Sequence, residues 1–230
     1  VNQPKGVLVY GDKTGVRETL GNAVLDYLYL KGEFDPSDHS FVPSPAHRLD
    51  RNTSGVVCYG KTDAALKALT DLFKERDEIQ KEYLALVVGD VATGGRIDKP
   101  LKKDEYSGRV SIAPLSEGGK TAITDYYVEK RFGDYTLLRL DLLTGRTHQL
   151  RVHLASIHHP IVGDEKYGDF EDCRKLKRLT GIDYQLLHAH KISFKNVSGV
   201  LSPLKGKEIA APMPKEISIA IEKLCIRIDN

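Results

Sequence analysis

The chain has 230 residues, a net charge of +2, 40% hydrophobic residues and 29% charged ones. That length allows one large domain or two small ones around a substantial core. No apolar run approaches the ~20 residues of a membrane span, so no membrane partner is expected, and a total charge this small does not by itself announce nucleic acid.

Along the chain, Gly6 to Tyr10 (GVLVY) reads as a strand. The run GVRETLGNAVLDYLYL carries Leu20, Val24, Tyr27 and Leu28 at helical spacing and predicts a helix. KGEFDPSDHSFVPSP, with its prolines and Gly32, is loop. After the turn-like run Asn52 to Gly55, the apolar stretch Val56 to Tyr59 predicts a short strand. Thr62 or Asp63 then caps a helix with Leu66, Leu69, Leu72 and Phe73 inside and Lys67, Lys74, Glu75 and Arg76 outside. KEYLALVVGDV is a strand with Tyr83, Ala85 and Val87 on one face and Leu84, Leu86 and Val88 on the other. Apolar residues on both faces make that strand central, which leaves its tyrosine in need of a reason. Thr121 to Arg131 and Tyr135 to Leu142 form a hairpin through Phe132-Gly133-Asp134. Thr147 is placed to cap a helix from His148 to Ile157, closed off by Pro160 and Gly163. Leu186 to Phe194 is a further strand, and APMPKEISIAIEKLCIRI ends the chain in a helix with Ile217, Ile221 and Leu224 on one side. Hairpins outnumber βαβ units, so the expected class is α+β: a mixed, mostly antiparallel central sheet flanked by helices and loops.

The three cysteines, Cys58, Cys173 and Cys225, are widely spaced and form no CxxC. They are expected to be buried or incidental thiols in a reducing cytoplasm, not disulfide partners or a zinc knuckle. Bases cluster in two places: Arg174, Lys175, Lys177 and Arg178 in CRKLKRL, and Lys102, Lys103 and Arg109 in PLKKDEYSGRV. A solvated face is the ordinary reading of such clusters, and contact with nucleic acid is the alternative.

Several chemistries fit poorly. GDKTG, Gly11 to Gly15, lacks the spacing of a phosphate-binding loop. His188 and His190 share a strand face, while His148 and His153 are five apart without an HExxH, so no metal is expected. Ser54 has no nucleophile elbow, and Cys58 sits in an apolar run where a thiol is inert. What remains is PAHRLDRNTSGVVCYG, which sets a single carboxylate, Asp50, between Arg48 and Arg51. An aspartate kept ionised by guanidinium groups can attack carbon. Besides its two neighbours, Arg151 is a candidate for that service. A turn-capping aspartate bonded to the amides of Asn52 or Thr53 is the other reading, and the residues alone leave both open.

HRLDRNTSG, His47 to Gly55, resembles the signature of the RluA-type pseudouridine synthases. KEYLALVVGD and LLTGRTHQLRVHLASIHHPIVGDEKYGD resemble that family's second and third motifs. VNQPKGVLVY resembles its opening NKPxG strand, with Gln3 where Lys is usual, and LLHAHKISF and IAAPMP resemble its closing segments. The resemblance runs in order over nearly the whole chain and implies a pseudouridine synthase fold and an isomerase of RNA that needs no cofactor. It implies that Asp50 is the catalytic aspartate, that Tyr83 stacks on the target base, that Arg151 pairs with the aspartate and that Arg48 enters the RNA stack when the uridine flips out. Arg51, Lys102, Lys103, Arg174, Lys175, Lys177 and Arg178 are then expected to face RNA.

YGDFEDCRKLKRLTGIDYQLLHAH resembles the members that modify 23S ribosomal RNA, the RluC and RluD types, with transfer RNA as the alternative substrate. On this expectation residues 1–230 are one catalytic domain acting as a monomer. The resemblance to those members implies an N-terminal S4-like RNA-binding domain, expected upstream because the first residue is Val1, inside what reads as a strand; a short single-domain member is the alternative. An RNA-binding module without catalysis is the rival reading.

Overall fold

The computed structural model describes residues 1–10, 18–75 and 77–225. The chain forms two compact units, one of residues 1–80 and 191–211, the other of residues 81–190 and 212–230.

In the first unit, strand β1 (Asn2–Gln3) pairs antiparallel with β3 (Ser54–Val56), and β2 (Ser44–Pro45) pairs with β4 (Tyr59–Gly60). The strand expected over Gly6 to Tyr10 is therefore replaced by one at Asn2–Gln3. Gly6 takes φ +76° in a turn and donates its N–H to the Arg51 carbonyl at 3.0 Å, which diverts the chain before a strand can form. The single strand expected over Val56 to Tyr59 is likewise split between β3 and β4, because its two ends pair with different partners. Helix α1 (Leu20–Leu30) is capped by the Thr19 hydroxyl, which accepts from the Asn22 amide, and it buries Leu20, Val24 and Leu28. The start of the expected helix and the GDKTG segment lie outside the described residues, as does Arg76. Helix α2 (Asp63–Glu75) is capped by Thr62 Oγ1, accepting from Ala65 N at 3.2 Å. Its Leu69 and Phe73 pack with Val56, Ile79, Ile192 and Phe194 in the core of this unit.

Strand β5 (Ile79–Val88) starts two residues earlier than expected and carries the chain into the second unit. Strands β6 (Gly95–Asp98), β7 (Leu101–Lys103) and β8 (Val110–Ile112) follow, with β7 and β8 forming a small antiparallel hairpin. Next come β9 (Ile123–Arg131) and β10 (Tyr135–Leu142), joined at 132–134 as expected. β10 lies between β5 and β9, and β6 extends the sheet beyond β9, all antiparallel. Between β9 and β10 the register shifts so that Lys130 faces Leu137 and Val128 faces Leu138, leaving Glu129 as a bulge residue. Tyr83 stands opposite Leu140, and Leu86, Leu138 and Leu140 are fully buried. Each such leucine contributes roughly 1.5–3 kcal/mol by leaving water.

Helix α3 (Gln149–Ala155) is shorter than the expected His148 to Ile157, and Thr147 does not cap it. His148 holds the N-cap position at φ 52° without a side-chain cap. The Gln149 side chain knots the approach instead: Oε1 accepts from Arg146 N and Thr144 Oγ1, and Nε2 donates to Ile123 O and Thr124 Oγ1.

Helix α4 (Phe170–Thr180) is capped by Asp169 and buries only Leu176. Strand β11 (Leu187–Phe194) returns to the first unit, where its end pairs with β12 (Glu208–Ala210). Helix α5 (Lys215–Cys225) closes the chain, with Ile217 in a core that also holds Leu86, Tyr135, Val162 and Leu176. The fold is α+β with a mostly antiparallel mixed sheet, as the strand pairs suggested. Among the described residues no helix is long and apolar enough to cross a membrane.

Candidate active site

In the first unit, Asp50 opens a turn that its own main-chain carbonyl closes, accepting from Thr53 N at 2.9 Å. The turn is thus closed by a main-chain bond. The loop is braced on both sides by main-chain bonds, Gly6 N to Arg51 O and Ala46 N to Cys58 O. His47 Nε2 accepts from Cys58 N at 3.1 Å while its ring packs against Phe73, 4.2 Å between centroids. Leu49 and Thr53 are buried, Asp50 is half-buried, and Arg48 and Arg51 are exposed. Leu49 and Thr53 therefore anchor the loop while Arg48 and Arg51 stand outward. The field of Arg48 reaches the Tyr10 phenol, lowering its pKa, although burial raises it by more. Gln3, at the position where Lys was noted as usual, is fully buried and donates Nε2 to Val7 O at 2.8 Å, a bond that braces the Gly6 turn.

Cys58 is a half-buried thiol pushed up to about 11 by desolvation, which suits the inert role expected of it. Burial, with a smaller contribution from nearby carboxylates, also pushes Cys173 up to about 11. The side chain of Cys225 is not among those described.

In the second unit, Tyr83 stands buried on β5 and Arg151 buried on α3. Arg151 is gripped by a residue the sequence reading did not single out. Asp164 Oδ2 accepts from Nε at 2.7 Å and Oδ1 from Nη2 at 2.8 Å. Asp164 Oδ1 also accepts from the amides of Lys166 and Tyr167, both at 3.0 Å. The Tyr167 ring lies against the Arg151 guanidinium at 5.1 Å and against that of Arg109 at 5.3 Å. Its hydroxyl accepts from Val110 N at 3.0 Å and bonds His148 Nδ1 at 2.8 Å. Burial raises the Tyr167 pKa, so the phenol keeps its proton at neutral pH and can donate it to His148.

The local sequence builds this cluster. Gly163, at φ +80°, comes so close to Tyr184 that a Cβ would lie 2.2 Å from its carbonyl oxygen. A Cβ on Gly168 would lie 2.3 Å from the Asp164 carbonyl oxygen. Glycine on both sides lets the chain wrap tightly round Asp164. The signal was present in GDEKYGD, an aspartate and a tyrosine framed by glycines, but it lies in neither a helix nor a strand, and periodicity does not report it.

The basic residues fall into two groups. Lys102, Lys103 and Arg109 are exposed on or beside the β7–β8 hairpin. Lys102 Nζ donates to Glu117 O at 2.8 Å, and Lys103 pairs with Glu105 at 2.6 Å. On α4, Arg174, Lys177 and Arg178 are exposed, with Arg174 near Glu171 and Lys177 near Asp183. Lys175 differs from these three: its Nζ donates to the Tyr135 hydroxyl at 3.0 Å, which in turn donates to Asp172 Oδ1 at 2.7 Å. His188 and His190 do share a face, with ring centroids 6.1 Å apart. His153 is tied to Thr124 Oγ1 and Lys99 O, which makes it a hydrogen-bonded structural histidine. Among the described residues no group of three or more His, Cys, Asp or Glu is placed to hold a metal ion.

The profile of the family described as RNA pseudouridylate synthase matches residues 1–156, and the chain belongs to that family. An uncharacterized RNA pseudouridine synthase of Chloroflexus aurantiacus is 36% identical over 97% of this chain and 65% of its own length. The ribosomal large subunit pseudouridine synthase D of Vibrio cholerae is 34% identical over 94% of this chain and 65% of its own length. The chain thus spans a little under two thirds of the length of these curated relatives. The solved structure of human RNA pseudouridylate synthase domain containing 4 shares the fold, with a TM-score of 0.73 at 22% identity over 100% of this chain and 90% of that one.

Proposed function

We propose that this protein isomerises specific uridines in RNA to pseudouridine, with 23S ribosomal RNA as its substrate and residues 1–230 as its catalytic domain. The observation that carries the reading is the family match over residues 1–156, which spans Asp50, Tyr83 and Arg151 together. The substrate follows from relatives named for the ribosomal large subunit. In this proposal the enzyme works in the cytoplasm, as a monomer.

In this reading the target uridine is flipped out of the RNA, because a stacked base hides its glycosidic bond. Arg48, exposed on the Asp50 loop, fills the gap left in the stack. Tyr83 stacks on the flipped base and recovers part of the few kcal/mol lost in unstacking. Asp50 and Arg151 are the two charged residues that take part in the reaction. The bond between C1′ and N1 breaks, the base turns, and a bond forms between C1′ and C5. The proton leaves C5 and N1 gains one, so the product is an isomer and no electrons are exchanged. The carboxylate serves either by attacking C1′ or by drawing a proton from the sugar to give a glycal-like intermediate; both courses need it beside the glycosidic bond. Arg51, Lys102, Lys103, Arg109, Arg174, Lys177 and Arg178 meet phosphates, and Lys175 supports the helix that carries three of them.

Pseudouridine mapping tests the reading in cells lacking the gene, complemented with wild type or Asp50→Asn. Sites in 23S RNA should vanish in the deletion, return with wild type and stay absent with Asp50→Asn. Loss of transfer RNA sites instead would move the substrate, and unchanged modification everywhere would leave an RNA-binding module.

A further inference from the structure

The reading above gives Arg151 a task that depends on where its guanidinium points. An arginine side chain has four rotatable bonds before its planar head, so a task of this kind needs something to hold it. Three features do so. The Asp164 carboxylate seats on the Nε–Nη2 edge with both bonds under 3 Å, and its side chain is 1% exposed. Two backbone amides, of Lys166 and Tyr167, fix Asp164 Oδ1 in turn. The Tyr167 ring covers the guanidinium, and its hydroxyl is held by Val110 N and His148. His148 sits at φ 52°, a left-handed backbone conformation uncommon for a non-glycine residue.

A carboxylate on the Nε–Nη2 edge cannot also cover the Nη1 edge, because the two edges of the plane face different directions. Asp164 therefore fixes the plane of the head and leaves the Nη1 side to other partners. It also supplies a negative charge that balances Arg151, so the arginine does not act on its surroundings as an uncompensated cation.

We propose that Asp164, assisted by Tyr167, is a positioning residue that sets the plane and the effective charge of Arg151 for the reaction. The proposal rests on the pseudouridine synthase reading and adds to it a second acid with no contact to the substrate.

The test uses the whole chain and a transcript of large-subunit ribosomal RNA carrying tritium at uridine C5. Proton release from C5 gives the single-turnover rate, and filter binding gives the RNA dissociation constant separately. Wild type and Asp50→Asn come first: if wild type releases no tritium, or Asp50→Asn releases it normally, the functional reading fails before Asp164 is examined. With those controls in order, Asp164→Asn keeps the shape and the amide bonds but loses the charge and one guanidinium bond. Its rate is expected to fall ~100-fold, the scale of a 1 Å misplacement, with the RNA dissociation constant within about threefold of wild type, since no phosphate contact is altered. Adding Asp164→Asn to Arg151→Ala is expected to slow the reaction no further, because a residue that acts through Arg151 has nothing left to position. Should Asp164→Asn not fold, as judged by circular dichroism, Asp164→Glu keeps the charge and displaces the head; it is expected to be ~10-fold slow, again only in rate and only when Arg151 is present. Wild-type rates in a folded Asp164 variant, a defect confined to RNA affinity, or full additivity with Arg151→Ala would each overturn the proposal, as would an Arg151→Ala enzyme of normal speed.

Discussion

The loop around Asp50 and the cluster around Arg151 are built by opposite means. Main-chain hydrogen bonds hold the first: Thr53 N to Asp50 O, Gly6 N to Arg51 O and Ala46 N to Cys58 O. Its arginines are exposed, while Leu49, Thr53 and His47, which accepts from Cys58 N and packs on Phe73, tie it inward. Side chains hold the second: Arg151 to Asp164, Tyr167 to His148 and Val110, and Gln149 to four groups at once. A loop shaped by backbone can vary its outward residues without losing its form. A cluster shaped by buried polar side chains loses a partner with every substitution, and a buried group without its partner is expensive. The two regions should therefore separate chemistry from stability in different ways.

The largest effect expected is on chemistry alone. Asp50→Asn should lower the single-turnover rate ~1,000-fold or more while leaving the thermal midpoint within a few degrees of wild type. An Asp50→Asn protein that melts far lower would show that the loop depends on its carboxylate after all. Arg151→Ala should fail on both counts. It leaves Asp164 buried with only amide partners, so beyond the lost activity it should cost about 3–5 kcal/mol in chemical denaturation. A stability within 1 kcal/mol of wild type would mean that Asp164 finds solvent once the arginine is gone, and the contrast would collapse.

A third test uses pH within the second unit. Burial holds His153 below its ordinary value of 6.5, so it takes a proton less readily when folded than when unfolded. Between its folded pKa and about 6.5 the unfolded state binds more protons, so stability from this residue falls as pH drops below about 6.5. Urea unfolding at pH 7.5 and 5.5 should show that loss in wild type and a smaller one in His153→Gln. An equal loss in both would put the sensitivity elsewhere.

The smallest effects are expected at the surface. Arg48→Ala and Arg51→Ala should change stability by under about 0.5 kcal/mol, as exposed sites do. Lys102→Ala and Arg178→Ala should each weaken RNA binding and reduce the salt dependence of affinity by about one counterion. Lys175→Ala should instead lower stability, since its ammonium is bonded to Tyr135. If Lys175→Ala changes only the salt slope, the inward contact is not what that lysine is for.

Much of this was legible in the chain. The alternation in KEYLALVV and the hairpin through Phe132-Gly133-Asp134 depend on near neighbours, and both appear where expected. The helices over Leu20–Leu30, Asp63–Glu75 and Lys215–Cys225 follow from apolar spacing and, in the first two, from a threonine cap. The family motifs marked Asp50, Tyr83 and Arg151 as residues to watch. What local sequence could not supply was any arrangement settled by a distant partner. GVLVY reads as a strand until Arg51 captures the Gly6 amide. Thr147 reads as a cap until Gln149, reaching β9, ties the turn another way. Asp164 reads as one loop acid among several until tight turns at two glycines bring it onto a guanidinium thirteen residues back. Hydrophobic period and capping chemistry act over a few residues, and the chain by itself determines them. Which buried polar groups satisfy one another is a question of packing in three dimensions, and only the tertiary structure decided it.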